Sequence, residues 1–123
     1  MSDSPQAMAV EVDHDTVIVL PAKTMGQFDR GDLEAETAAI VAELDAIPVG
    51  NLVLDLSQMD FMSSVCLGMF VTMWKKVRER DAFMAVCGAS ELAQQILKSA
   101  TFDKLWTICP SRTAALQTVR RGG

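Results

Sequence analysis

Two adjacent hydroxyls, Ser63 and Ser64, stand where a short link meets an apolar helical repeat. A serine at such a junction has two uses. Its hydroxyl accepts from an unpaired backbone N–H of the first turn and so caps the helix. It also offers an oxygen for a phosphate where a helix start tolerates added negative charge. The nearest carboxylates are Asp55 and Asp60. Asp55 ends an apolar run, and α/β sheets build sites at the carboxyl ends of their strands. The same residue type also holds the following turn by side-chain hydrogen bonds. The single histidine, His14, falls in a predicted turn and reads as a solvated residue, not a catalytic base. The chain has no G-x-S-x-G elbow and no G-x-G-x-x-G loop. Cys66, Cys87 and Cys109 lie far apart in apolar surroundings without C-x-x-C or Cys/His spacing. They read as reduced, buried thiols, and neither a metal nor a cofactor is expected. An enzyme using Ser64 or Cys66 with Asp55 would need a base within hydrogen-bond reach. The residues point instead to a binding module.

The elements that position these groups follow from hydropathy. Leu52, Val53 and Leu54 form a non-alternating apolar run, the mark of a strand buried on both faces. Before it, Met8, Val10 and Val12 alternate, and Thr16 to Leu20 is β-branched. Asp13-His14-Asp15 between them reads as the turn of a hairpin, and Pro21 ends its second strand. A loop over residues 22–31 precedes a helix from Asp32, with Leu33, Thr37, Ile40, Val41 and Leu44 on one face. Pro48 and Gly50 stop it. A helix over residues 64–80 follows the central strand, then a strand at Phe83 to Cys87. Ser90 caps the next helix, a last strand covers Leu105 to Cys109, and Ser111 caps a final helix ending near Arg120. The expected fold is α/β: one domain over residues 1–123, with residues 1–7 frayed. It has an N-terminal antiparallel hairpin, then parallel β–α units in a mixed sheet, with about four helices.

Within the helix after Ser64, the spacing of Leu67, Phe70, Val71, Trp74 and Val77 predicts the face turned to the sheet. Val65, Met69 and Thr72 then point outward, and Cys66 and Met73 lie on the flank. An apolar outer face marks an interaction surface, for which methionine is well suited. The expected partner-binding set is therefore Ser63, Ser64, Val65, Met69, Thr72 and Met73. A charge placed at Met69 is expected to abolish binding and leave folding intact. The competing reading is that the chain's own helices cover these residues.

Composition narrows the partners. Half of the 123 residues are hydrophobic, which a folded domain requires, and the net charge is −5. That sign argues against nucleic acid and anionic membranes. No apolar run is long enough to span a bilayer, and the first residues lack signal-peptide character. A cytoplasmic location is expected, as a monomer or a weak homodimer.

The run Asp55-Leu56-Ser57-Gln58-Met59-Asp60-Phe61-Met62-Ser63-Ser64-Val65-Cys66-Leu67-Gly68 resembles the signature of bacterial anti-sigma-factor antagonists of the STAS domain family. That signature is a strand ending in D-L-S, an apolar link, then F-M/I-D-S-S/T-G-L-G and a helix. The order of elements resembles the family from about Met8 to Val119. The stretch Leu97 to Leu105 is similar to a later family segment, L-x-x-x-G-L-x-x-L/I. Ser63 stands for the family's aspartate, Val65 for the next Ser/Thr and Cys66 for the glycine. In the earlier loop, where the family often has G-x-L-D/T, this chain has Ala22-Lys23-Thr24-Met25.

The resemblance implies partner switching in transcription regulation. The partners it implies are an anti-sigma factor that is also a serine kinase of the histidine-kinase-like ATPase type, and a phosphatase. It implies phosphorylation at Ser64, with Ser63 second, and places Asp55 and Asp60 in the loop beside the switch. The alternative is a STAS interaction or scaffold subunit of a signalling or transport complex, without phosphorylation.

Overall fold

A computed structural model of the chain describes residues 6–60 and 62–122. Five strands form one sheet in the order β1 (Met8–Asp13), β2 (Thr16–Pro21), β3 (Asn51–Asp55), β4 (Met84–Cys87), β5 (Thr107–Cys109). β1 and β2 pair antiparallel, and every later neighbour is parallel. The connecting helices are α1 (Arg30–Ala46), α2 (Ser64–Glu79), α3 (Glu91–Ser99) and α4 (Arg112–Arg120). This is the expected α/β architecture, with its antiparallel hairpin on one edge.

Strand alternation divides the core. Val17, Val19, Leu52, Leu54 and Val86 join the larger cluster, to which α1 and α2 contribute Leu33, Ile40, Phe70 and Met73. Ile18, Val53, Ala85 and Cys87 face the other way, with Ala115 and Val119 of α4. β3 is buried at all five positions, which is why its sequence shows no alternation. The caps fall as expected on Ser90 and Ser111, whose hydroxyls accept from Ala93 N and Ala114 N at 3.1 Å. His14 adopts φ 56° in the hairpin turn with its side chain exposed.

The N-terminal fray and two element starts differ from expectation. Residues 1–5 of the expected fray, and Phe61 of the signature, lie outside the described residues. Ala7 is not frayed: it is fully buried, and its N–H donates to Glu36 Oε2 at 2.9 Å. α1 starts at Arg30, two residues early, with Asp29 extended as its N-cap. β5 starts only at Thr107, because a 3-10 turn at Phe102–Lys104 stacks Phe102 on Trp106, ring centroids 4.6 Å apart. That stacking buries Trp106 and leaves Leu105 half exposed.

The largest correction concerns α2. Its buried stripe is Cys66, Met69, Phe70, Met73 and Val77, while Leu67, Val71 and Trp74 are only half-buried. Met69 is 7% exposed and Met73 is fully buried, so neither belongs to an open apolar face. The cause is α1, which packs along α2 and draws the buried arc toward itself. The charge test at Met69 loses its meaning, since a buried charge disrupts folding first. The exposed residues in the first half of α2 are Ser64, Gly68 and Thr72, with Val65 half-buried beside them.

Candidate interaction site at the start of helix α2

The link from β3 to α2 is anchored before it reaches the serines. Asp55 Oδ1 accepts from Ser57 N at 3.0 Å, which closes the first turn beyond the strand. Leu56 N donates to Cys87 O at 2.8 Å and prolongs the β3–β4 ladder by one bond. Leu56, Met59 and Met62 then drop into the core, leaving Asp60 exposed between them. Ser90 Oγ, already the cap of α3, also reaches Asp60 O at 3.4 Å.

Asp55 is spent on structure. Its other oxygen, Oδ2, accepts from Arg112 Nε at 3.1 Å, and Arg112 Nη1 continues to Glu11 at 2.7 Å. Both partners lie on the α4 side, the face Asp55 shares with Val53. Ser64 opens onto the opposite face, between α1 and α2. Cys66 is fully buried. The geometry therefore separates Asp55 from Ser64 and Cys66, and the arrangement an enzyme would need among them is not formed. Cys87 packs in the same region, where burial, then the Asp55 carboxylate, push its thiol up to about 12. Such a thiol stays protonated and packs as a small hydrophobe.

At the junction the two serines divide the work. Ser63 is extended (ψ 166°), and its hydroxyl accepts from Cys66 N at 3.2 Å. Ser63 is thus the N-cap, and Ser64, the first helical residue, is exposed. The first turn of α2 holds no acidic side chain, so its positive dipole end is unopposed there. Ser64 sits on a groove of about 430 Å³ between α1 and α2. Arg30 and Glu34 line one wall, and Val65 and Gly68 the other. The hydroxyls of Thr37 and Thr72, also in the groove, donate to Leu33 O and Gly68 O of their own helices at 2.7 and 3.0 Å.

Residues 8–115 match the family model of the STAS domain. The chain belongs to the STAS domain family. A STAS-domain anti-sigma-factor antagonist protein from Planctomyces limnophilus superimposes with TM-score 0.77 at 17% identity, covering 92% of this chain and 97% of that one. An anti-sigma factor antagonist from Mycobacterium paratuberculosis gives 0.72 at 23% identity, covering 92% of both. The Bacillus cell fate determinant SpoIIAA in its phosphorylated form gives 0.67 at 14%, covering 92% and 99%. At these identities the likeness is one of fold.

Set on the STAS fold, the departures in the signature acquire physical meanings. Ser63, standing for an aspartate, keeps the cap, since both residue types accept from the first-turn N–H groups. Cys66, standing for a glycine, points into the core. After Ala22 to Met25, the chain runs on through Gly26-Gln27-Phe28-Asp29. That segment overlaps a 3-10 turn, Met25–Gln27, that packs against α2, and it ends on the N-cap of α1. Neither Arg30 nor Glu34 is among the site residues the sequence predicts. The signal for them was their i,i+4 spacing at the head of α1, but only the packing of α1 on α2 brings them to Ser64.

Proposed function

We propose that this chain is an anti-sigma-factor antagonist that works by exchanging protein partners, with Ser64 as the phosphoacceptor that sets the exchange. The observation that carries the reading is the place of Ser64: exposed, first in α2, at the groove, and relieved of capping by Ser63. The antagonist structures that share the fold support the same reading.

In this reading the unphosphorylated chain binds an anti-sigma factor that is also a serine kinase of the histidine-kinase-like ATPase type. A bond forms from Ser64 Oγ to the γ-phosphorus of a nucleoside triphosphate. The bond from that phosphorus to the diphosphate breaks, and the hydroxyl proton passes to a base of the kinase. A phosphatase later removes the phosphate. The phosphate brings about −1.5 to −2 charges. The free chain bears that charge beside water and an unopposed helix dipole. A packed partner has to strip its water, so the complex loses more than the free protein. The partner surface under this proposal is Ser63, Ser64, Val65 and Thr72; Met69 contributes only the edge it shows in the groove, and Met73 is fully buried.

The absence of a carboxylate or glycine beside Ser64 favours a second reading, a STAS subunit that binds constitutively without phosphorylation. One experiment separates the two. The protein is incubated with its kinase and ATP, and the peptide carrying both serines is weighed. One added phosphate is expected in the parent and in Ser63→Ala, and none in Ser64→Ala. A parent peptide without phosphate leaves the constitutive reading in possession.

A further inference from the structure

We infer that Arg30 receives the phosphate on Ser64, so that phosphorylation closes the α1/α2 groove from within the chain as well as repelling a partner. The inference rests on the reading of Ser64 as the phosphoacceptor.

Among the described residues lining the groove, Arg30 is the only cation, and Ser64 lies on the same groove. The other side-chain hydroxyls on the groove walls, Thr37 and Thr72, already donate to their own helix carbonyls. Arg30 itself is held weakly. Its ion pair with Glu34 spans 3.9 Å, with the two side chains 74% and 60% exposed. Exposed pairs of that length contribute little. A phosphate competes with Glu34 on better terms, carrying nearly twice the charge and oxygens that match the guanidinium fork two at a time. Glu34 and the nearby Asp29 oppose the phosphate, and only Arg30 in the groove wall answers it. An arginine drawn to Ser64 lays its methylene stem across the groove, over Val65 and Gly68. The free phosphorylated chain then presents a covered groove, and a partner has to break an internal pair to enter.

The test installs phosphoserine at position 64 by genetic encoding, without a kinase, and follows its second ionisation by ³¹P NMR. The α2 dipole lowers that ionisation in every variant, so the readout is the difference between variants. Arg30→Gln should raise it by about half a unit. Glu34→Gln, which frees Arg30, should lower it. Arg78→Gln, at the far end of α2, should leave it in place, and thermal melts verify that each variant folds. A parent and an Arg30→Gln protein that titrate together overturn the inference alone. A failure of the kinase to modify Ser64 overturns the reading beneath it.

Discussion

Gly88 adopts φ +69°, and a Cβ there would stand 2.9 Å from Asp55 Oδ1 and 3.0 Å from Ser57 N. The turn that carries the chain from β3 toward Ser64 is closed by that same Asp55 oxygen. Only a residue without a side chain leaves space for it. Gly88→Ala adds left-handed strain to a backbone collision, and a cost of about 2–4 kcal/mol is expected in urea denaturation. A loss within about 0.5 kcal/mol would mean that the turn has slack. The sequence left Asp55 between a site and a turn, because residue type tells what a carboxylate can do and not where it is aimed. The same limit applied to the serines. Which of two neighbours caps depends on where the backbone passes from extended to helical. That happens at Ser63, a fact of φ and ψ not carried by two identical side chains.

Elements were legible where their pattern was one-sided. β3, buried throughout, and the stripe of α1, with Leu33, Thr37, Ile40 and Leu44 inward, were read from the sequence. α2 was misread because apolar residues surround most of it, and period alone cannot choose a face when several would serve. Long-range ion pairs were illegible altogether. Arg120 of α4 reaches back to the β1–β2 hairpin, with Nη2 3.4 Å from Asp13 Oδ1 and Nε 3.2 Å from Asp15 Oδ1. Asp13 is held below the ordinary 3.8, first by His14 and then by Arg120. Asp15 is held below it by the Thr16 hydroxyl and then by Arg120. Carboxyls depressed by folding stabilise the protein above about pH 3.8, and that support fades as pH falls through their folded values. Arg120→Gln removes part of the depression. Its urea midpoint should therefore fall less steeply than the parent's from about pH 5 to pH 2. Parallel slopes would show that the clamp contributes nothing in solution.

At the scale of the molecule, the order of strands and helices along the chain was legible in the sequence, but the groove came from two helices chosen as neighbours by the sheet. A switch built there has to leave the free fold intact and act only on the complex. Ser64→Asp isolates that property. The substitution puts one negative charge on an exposed first-turn position of a helix with no acidic neighbour in that turn. The dipole should hold stability level or raise it by up to about 1 kcal/mol. The partner must desolvate the same carboxylate at the interface, and affinity should fall by about tenfold or more, at least 1.4 kcal/mol. Melting and binding must be measured on the same preparation, because only their divergence distinguishes a switch from damage. A Ser64→Asp protein that melts early has lost its fold, and the charge has not been tested until Ser64→Glu, one methylene longer, is measured in its place. One that melts with the parent and still binds with parental affinity takes charge out of the mechanism, leaving the exposed start of α2 as a plain contact surface.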